Sequence, residues 1–421
     1  MGMARQRRGL AARRAGLGYT QERFAEALGV ERSTVWRWET GAVVPLPEQR
    51  PRLRTALELT PAELDELLRE TDAQHWSPTV QEPTDRTASS WDDPDEVLLQ
   101  LHELQDSNIG DGQLRLLEDQ VHRIIAEYEQ RGPSELGPPT ARLRRQVHQL
   151  LSGRQLLRTR CQLHRVAAQL AGLLGYMAIN TGRFRLASAY CAEALHLATE
   201  IEDIDLQVWV WGTRSLGAYY QADYARAHAD AARGHALAPN SPQSIRLLAN
   251  GEARALGQLG DRAGADAAVE RALALLDRYD IDPELTPCIS FEPYGYARVA
   301  ANAATAYVPL GDTPRVLHYT GDIDPAVEHA DSDWSRALVR LDIATAVLRQ
   351  QDADLEQALA LGREALRVCA DQPIRSVWQR ATTLHGLTQR WANEPQVLEF
   401  TDQLRIWRDR PEVQAISGST G

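Results

Sequence analysis

Apolar positions recur at the three- and four-residue spacing of helices along most of the chain, and the sustained alternation typical of strands is nearly absent. Medium-length amphipathic segments are separated by glycine, aspartate or proline. The helical pattern breaks at residues 71–94, which are polar, proline-rich and aperiodic. The pattern therefore predicts an all-α protein with a small N-terminal domain at 1–70, a linker at 71–94, a larger helical domain at 95–416 and a flexible tail at 417–421.

Near the N-terminus, a short amphipathic helix is predicted from about Thr20 to Leu28. Thr20 is an N-cap candidate because its hydroxyl can accept a hydrogen bond from the first helical turn. Phe24, Ala25 and Leu28 form an inward-facing stripe. Gly29 stands where the chain must turn with positive φ, a conformation that glycine adopts readily. The pattern thus predicts a helix that ends in a tight turn.

A second short helix is predicted from Glu31 to Glu39. Its Val35 and Trp38 lie three residues apart and face the first helix, while Val30 fills the junction. The opposite face then carries arginines and a small hydroxyl. Arginine on such a face can form two hydrogen bonds with guanine in the DNA major groove. The outward residues predicted to contact DNA are Arg32, Ser33, Trp36 and Arg37.

The residues of this segment also follow one another in the order of a known motif: Thr20-Gln21, Ala25, Gly29-Val30, Ser33-Thr34-Val35, and Trp38-Glu39 before Gly41. In this order they resemble the helix-turn-helix of the Cro/repressor-type (Xre) family. The resemblance implies a five-helix lambda-repressor-like domain, with further helices at about Arg8–Ala15, Gln49–Leu57 and Pro61–Leu68. It also implies that Gln21 contacts a backbone phosphate and that Arg32, Ser33 and Arg37 reach base edges, with Thr34 beside them.

The loop after Gly41 departs from this family. Its residues Ala42-Val43-Val44-Pro45 are apolar, whereas many relatives place basic residues there for the phosphates. The departure concerns the details of phosphate contact and leaves the predicted fold unchanged. A helical hairpin that only dimerises, or a degenerate domain that has lost DNA binding, is the alternative interpretation of the segment.

Charge is distributed unevenly along the chain. The formal net charge is −12, but residues 1–54 contain eleven arginines and five glutamates, which leaves +6 there and −18 in the remainder. A basic module on an acidic body favours DNA contact by the N-terminal domain alone. The chain contains no lysine and is rich in alanine, a composition typical of a high-GC bacterial genome.

Beyond the linker the helical segments repeat. Small residues that open the second helix of a pair recur at Ala187, Ala227 and Ala265, with separations of 40 and 38 residues. With the nearby Gly260-Asp261 and Gly311-Asp312 turns, these positions resemble tetratricopeptide repeats, clearly over 170–275 and more weakly to about Trp407. The resemblance implies a solenoid of stacked helix pairs, in which the first helix of each pair lines a concave surface.

A helix-turn-helix followed by such an array resembles bacterial regulators that sense short intracellular peptides. The resemblance implies that asparagines and arginines on the concave face hold the effector, a peptide or a small molecule, and that two aromatic residues supply apolar pockets. Ordinary solvated or capping roles are the alternative for each residue. The candidates are Asn180, Trp211, Tyr220, Arg246, Asn250, Arg254 and Asn302.

Catalytic and metal-binding motifs are absent from the sequence, which contains no Walker A loop, no GxSxG, no HExxH and no Cys/His metal spacing. We therefore expect no enzymatic activity, no cofactor and no metal. The four cysteines are far apart in helical apolar patterns, which predicts buried free thiols. No run of about 18 apolar residues is present, so no membrane span and a cytoplasmic location are expected.

These observations predict a sequence-specific DNA-binding transcriptional regulator whose helical-repeat domain dimerises, senses an effector, or both. A homodimer on an operator with two half-sites is expected, because one such domain reads only a few base pairs. Two alternatives stay open. One is a protein-interaction scaffold that the small domain merely localises on DNA, and the other is an enzyme with an unrecognised site.

Overall fold

The computed structural model describes residues 8–40, 43–69, 107–330 and 332–417. The predicted linker at 71–94, the start of the second domain at 95–106 and residues 418–421 of the tail lie outside this part of the chain. Within it, every regular element is a helix, as predicted. The chain divides into two compact units, Met1–Trp91 and Asp92–Gly421.

The first unit contains the five predicted helices, each within one residue of its expected bounds. Their apolar faces enclose one core, in which Phe24, Trp38 and Leu53 are almost fully buried. Thr20 caps the second helix by accepting a hydrogen bond from the Arg23 N–H at 3.2 Å. Gly29 then turns the chain with φ of 68°. The helices are α1 (Arg8–Gly16), α2 (Gln21–Leu28), α3 (Arg32–Glu39), α4 (Arg50–Leu57) and α5 (Pro61–Arg69).

The second unit begins, within the described residues, with α6 (Asp111–Leu151), in which two helical segments meet at Gly132. Gly132 has φ of 76° and precedes Pro133, so the helical hydrogen bonding is interrupted there. The sequence indicated helices in this region but did not define their repeat. The two segments run antiparallel, because Asn108, just before the first, donates hydrogen bonds to the carbonyls of Leu150 and Arg154 at the end of the second, at 3.0 and 2.9 Å. They form a further helix pair ahead of residues 157–408.

Residues 157–408 then form six antiparallel helix pairs, each packed on the next. Ala187, Ala227 and Ala265 are buried where the helices cross, as the repeat pattern predicted. The pairs are α7 (Leu157–Asn180) with α8 (Phe184–Glu200), α9 (Ile204–Tyr220) with α10 (Tyr224–Leu237), α11 (Ser244–Arg246, the π-helical Leu247–Ala253 and Arg254–Leu259) with α12 (Arg262–Leu276), α13 (Tyr296–Tyr307) with α14 (Thr313–His329), α15 (Asp333–Leu348) with α16 (Leu355–Val368), and α17 (Arg375–Thr388) with α18 (Pro395–Arg408). A short helix α19 (Pro411–Ser417) follows.

Three of the six turns within the pairs, those before α10, α12 and α14, share one local chemistry. A residue with positive φ ends the first helix, as at Gly260 with φ of 78° and Gly311 with φ of 69°. The aspartate that follows caps the second helix, since Asp261 accepts the Gly264 N–H at 2.9 Å and Asp312 accepts the Arg315 N–H at 3.3 Å. Both turns were recognisable in the sequence because glycine and aspartate supply these two functions.

The solenoid closes on itself through contacts between distant repeats. The Arg375 Nε and Gln379 Nε2 atoms both donate to the backbone carbonyl of Tyr220, at 3.3 and 3.0 Å. At the kink of α6, the Gln372 side-chain amide donates to the Gln130 carbonyl. Repeats at the two ends of the array therefore enclose the concave surface.

The predicted environment of two cysteines was wrong. Cys161 is exposed because it lies on the outer side of α7. Cys288 lies outside any helix, in the irregular segment between α12 and α13. Cys191 and Cys369 are buried free thiols, as expected.

Candidate nucleic-acid interface and effector chamber

The outward face of α3 carries the residues predicted to contact DNA. Val35 and Trp38 are buried against α2, which turns Arg32, Ser33 and Arg37 towards solvent and leaves Thr34 half-buried. Trp36 lies on the same outward face with 54% of its surface exposed. A tryptophan this exposed contributes little to the core, so its apolar surface is available for a partner.

A buried polar network holds this helix from behind. The Glu39 carboxylate accepts the Arg14 Nε at 2.6 Å and the Gln21 Nε2 at 2.6 Å, and Arg14 also donates to the Tyr19 carbonyl. Glu39 is only 7% exposed, so these hydrogen bonds are shielded from water. The network joins the ends of α1, α2 and α3 and fixes the angle at which α3 is presented.

The Gln21 amide is partly engaged within the domain, and its predicted phosphate contact stays a prediction. One hydrogen of its amide is held by Glu39, and only the second can be donated to a phosphate. Its position at the first turn of α2 nevertheless leaves backbone N–H groups facing outward, where an anion is favoured.

The outward side chains of α3 differ in whether they already have a hydrogen-bond or ion-pair partner within the first unit. Arg32 pairs with Glu22 across α2 and α3 at 2.8 Å, and Ser33 donates to Glu31 at 3.2 Å. The pKa of Glu22 lies below its usual value, chiefly because its own backbone N–H bonds the carboxylate, with the charge of Arg32 adding to the effect. Arg37 makes no side-chain hydrogen bond or ion pair within the described part of the chain, which leaves all its donors available.

The second unit contains a chamber on its concave surface that gathers most of the predicted effector residues. Five of the seven line it: Asn180, Tyr220, Asn250, Arg254 and Asn302. The first helix of each of the six pairs contributes to this lining, as the resemblance to tetratricopeptide repeats implies. Asn250 lies in the π-helical turn of α11, a rare geometry that frequently occurs at functional sites.

Two predicted effector residues lie outside the chamber lining. Trp211 packs between the guanidinium groups of Arg214 and Arg233, at 4.3 and 5.2 Å from its ring centre. Arg246 is buried under the Trp209 ring and donates to the Trp209 carbonyl at 2.8 Å. Their surroundings are those of structural residues.

Several other chamber residues could not be identified from the sequence, because they come from distant repeats. Arg380 on α17 pairs with Asp342 on α15 at 2.7 Å, and Thr305 donates to the same carboxylate at 2.6 Å. Arg298 on α13 donates through Nη1 to the Ser335 hydroxyl at 3.1 Å and through Nε to the Thr286 carbonyl at 2.9 Å. The one local signal was the spacing of Arg298 and Asn302, which lie four residues apart and therefore share one face of α13.

The electrostatics of the chamber are dominated by arginine. Burial pushes the pKa of the Tyr220 hydroxyl upwards, but the nearby charges of Arg254 and Arg380 outweigh burial, so this pKa lies below its usual value. The inner chamber has a volume of about 70 Å³. It shares five lining residues with an outer cleft of about 390 Å³, whose lining includes Tyr219, Tyr224 and Trp378.

Within the described residues, no group of three or more histidine, cysteine or acidic side chains is arranged to hold a metal ion. None of the described helices is both long and apolar enough to cross a membrane.

Comparison with known protein families identifies the first unit. Residues 4–67 match the family described as a helix-turn-helix domain, a span that begins before α1 and ends within α5. The N-terminal unit is therefore a helix-turn-helix domain, and the predicted DNA-binding class is supported in general terms. No curated protein shows a significant match to the chain. The tetratricopeptide resemblance of the second unit stays a prediction.

Proposed function

We propose that the chain is a bacterial transcription regulator that reads DNA sequence through α3 and acts in the cytoplasm as a homodimer. The observation that carries the proposal is the outward face of α3, where Arg37 and Trp36 are exposed on a helix fixed by Glu39. Arg37 is the base-reading residue, because its planar donors suit guanine and no described neighbour competes for them. Arg32 shares the task once it leaves Glu22, an exposed pair that costs little to break.

The second unit is proposed to sense an effector in the concave chamber. Five residues chosen from the sequence meet there, and a π-helical turn presents one of them. The effector changes DNA binding by favouring one of two solenoid conformations, which requires different affinities for the two. No catalytic role is proposed for the chamber.

The test of DNA reading starts from an operator selected in vitro from random duplexes with the full chain. Arg37→Ala should then weaken binding by about 1–3 kcal/mol, roughly 5- to 150-fold, and relax the preference at one base pair of each half-site. Arg23→Ala is the matched control, since Arg23 is also exposed on the first unit but lies on α2. The Arg23→Ala variant should bind all sequences less tightly by a similar factor, and its affinity should depend less on salt concentration than that of the wild type.

Two outcomes would contradict the proposal. An Arg32→Ala/Arg37→Ala variant with unchanged affinity and unchanged base preference would show that α3 is not the reading helix. Failure to select any DNA motif, together with a stoichiometric protein partner, would favour an interaction scaffold. Homodimerisation is checked by sedimentation equilibrium. A homodimer should also select operators with two half-sites whose centres are about one helical turn apart, roughly 10–10.5 base pairs.

A further inference from the structure

Arg254 is a buried cation whose charge is not neutralised by a described carboxylate. Its side chain is 3% exposed and lines the inner chamber. One Nη lies 3.5 Å from the Tyr220 hydroxyl, at the limit of a hydrogen bond, and the guanidinium stacks 4.2 Å from the Tyr219 ring centre. The Nε has no hydrogen-bond partner within the described part of the chain. Proteins rarely bury a charge this far without pairing it.

The carboxylates near the chamber are already committed to other arginines. Asp342 pairs with Arg380 at 2.7 Å and also accepts the Thr305 hydroxyl. Glu129 accepts the Cys288 N–H at 2.8 Å and lies 3.9 Å from Arg298. Among the described residues at this site, two acids therefore face three arginines, and Arg254 is the cation left over. The local excess of positive charge contrasts with the acidic second unit as a whole.

The dimensions of the two cavities indicate how a ligand divides between them. The inner chamber, about 70 Å³, has room for roughly five or six water-sized groups. A charged group with a few attached atoms fits there, whereas several peptide residues do not. The outer cleft, about 390 Å³, shares Tyr220 and Arg380 with the chamber and adds the rings of Tyr219, Tyr224 and Trp378. These rings suit the apolar or aromatic body of a small molecule.

We infer that the effector is a small organic anion whose carboxylate or phosphate group is held by Arg254 in the inner chamber and whose body lies in the outer cleft. The inference rests on the proposed effector role of the chamber. It assigns Arg254 the recognition of charge, because a guanidinium forms two parallel hydrogen bonds with either oxyanion. The amides of Asn250 and Asn302 flank the group and select its orientation.

The test uses calorimetric titration of the full chain in the absence of DNA. The probes are benzoate, phenyl phosphate and short aliphatic carboxylates, each compared with its uncharged amide or alcohol. At least one anion should bind at least tenfold more tightly than its uncharged counterpart. Whether carboxylates or phosphates bind more tightly distinguishes the two possible headgroups.

Variants of two arginines supply the matched comparison. Arg254→Gln should weaken the anion at least tenfold and Arg254→Lys less, while Arg315→Gln, an exposed position paired with Asp266, should bind as the wild type. Equal binding of charged and uncharged probes, absence of binding by every anion, or unchanged binding by Arg254→Gln would overturn the inference.

Thermal unfolding without ligand separates recognition from a structural role. Arg254→Gln should unfold at or above the wild-type temperature, because it removes an unpaired buried charge. Arg298→Gln should unfold at a lower temperature, because Arg298 joins Thr286 to Ser335. A lowered unfolding temperature for Arg254→Gln, or a phenolate absorbance at neutral pH that Tyr220→Phe abolishes, would show an internal partner and overturn the inference. Anion binding without any effect on DNA affinity would instead contradict only the proposed sensing.

Discussion

Replacing Glu39 by alanine should destabilise the helix-turn-helix domain by about 3 kcal/mol. The carboxylate accepts two hydrogen bonds of 2.6 Å, one from Arg14 and one from Gln21, in a site where Arg14 is 13% and Glu39 is 7% exposed. Each hydrogen bond to a charged group contributes about 1.5–3 kcal/mol, and removing one member of a buried pair costs about 3–5 kcal/mol. Arg14 keeps the Tyr19 carbonyl and some contact with water, so the lower end applies.

Amide hydrogen exchange on α2 and α3 in the full chain is the suitable assay, because a thermal scan combines the two units. A loss of about 3 kcal/mol corresponds to roughly 150-fold faster exchange through global opening of the domain. Glu26→Ala, at an exposed position of α2, is the control and should change the free energy of unfolding by less than about 0.5 kcal/mol. A double-mutant cycle with Arg14→Gln that gives a coupling below about 0.5 kcal/mol would refute the reasoning.

Three further predictions follow from particular side chains. Glu22→Gln should release Arg32 and raise operator affinity by about 1.5- to 5-fold at low salt, because an exposed ion pair contributes about 0.2–1 kcal/mol; a titration at high salt should show no gain. If Trp36 packs on a thymine methyl group, replacing operator thymines one at a time by uracil should weaken the wild type at one position and leave Trp36→Ala unaffected, as measured by fluorescence anisotropy. In a thiol titration of the native chain, the exposed Cys161 should react first, because burial raises the pKa of the Cys191 thiol to about 12 and also raises the pKa of the Cys369 thiol. Equal reaction rates for all thiols would contradict this assignment.

The first unit could be predicted closely from the sequence because its signals are local. The stripe at Phe24, Ala25 and Leu28 defines the buried face of α2, and Gly29 defines where it ends. With Val35 and Trp38 facing inward, Ser33 and Arg37 had to face outward. None of these inferences needed information about residues more than a few positions away.

The role of Gln21 shows where local reasoning stops. Its partner Glu39 lies 18 residues later, and the sequence pattern identified each residue separately. The prediction that Cys161 is buried was wrong for a related reason. An apolar helical pattern surrounds this residue, but Cys161 itself lies on the exposed face of α7. Cys288 lies in a segment that packs on Glu129, 159 residues earlier in the chain.

The geometry of the proposed effector chamber depends on contacts between helix pairs that lie far apart in the sequence, and a repeat pattern does not reveal such contacts. Stacking of neighbouring pairs explains why the first helices line the concave side, and hence why five of the seven chosen residues meet there. The chamber is closed, however, by Arg375 and Gln379 reaching the Tyr220 carbonyl across more than 150 residues. That contact forms only if the small rotations between successive pairs add up to the required curvature. Arg254, on the third pair, lines the same chamber as Tyr220, on the second, whose carbonyl receives the closing contacts from the sixth. If the proposed anion binds there, its binding and the closure of the solenoid should therefore be linked.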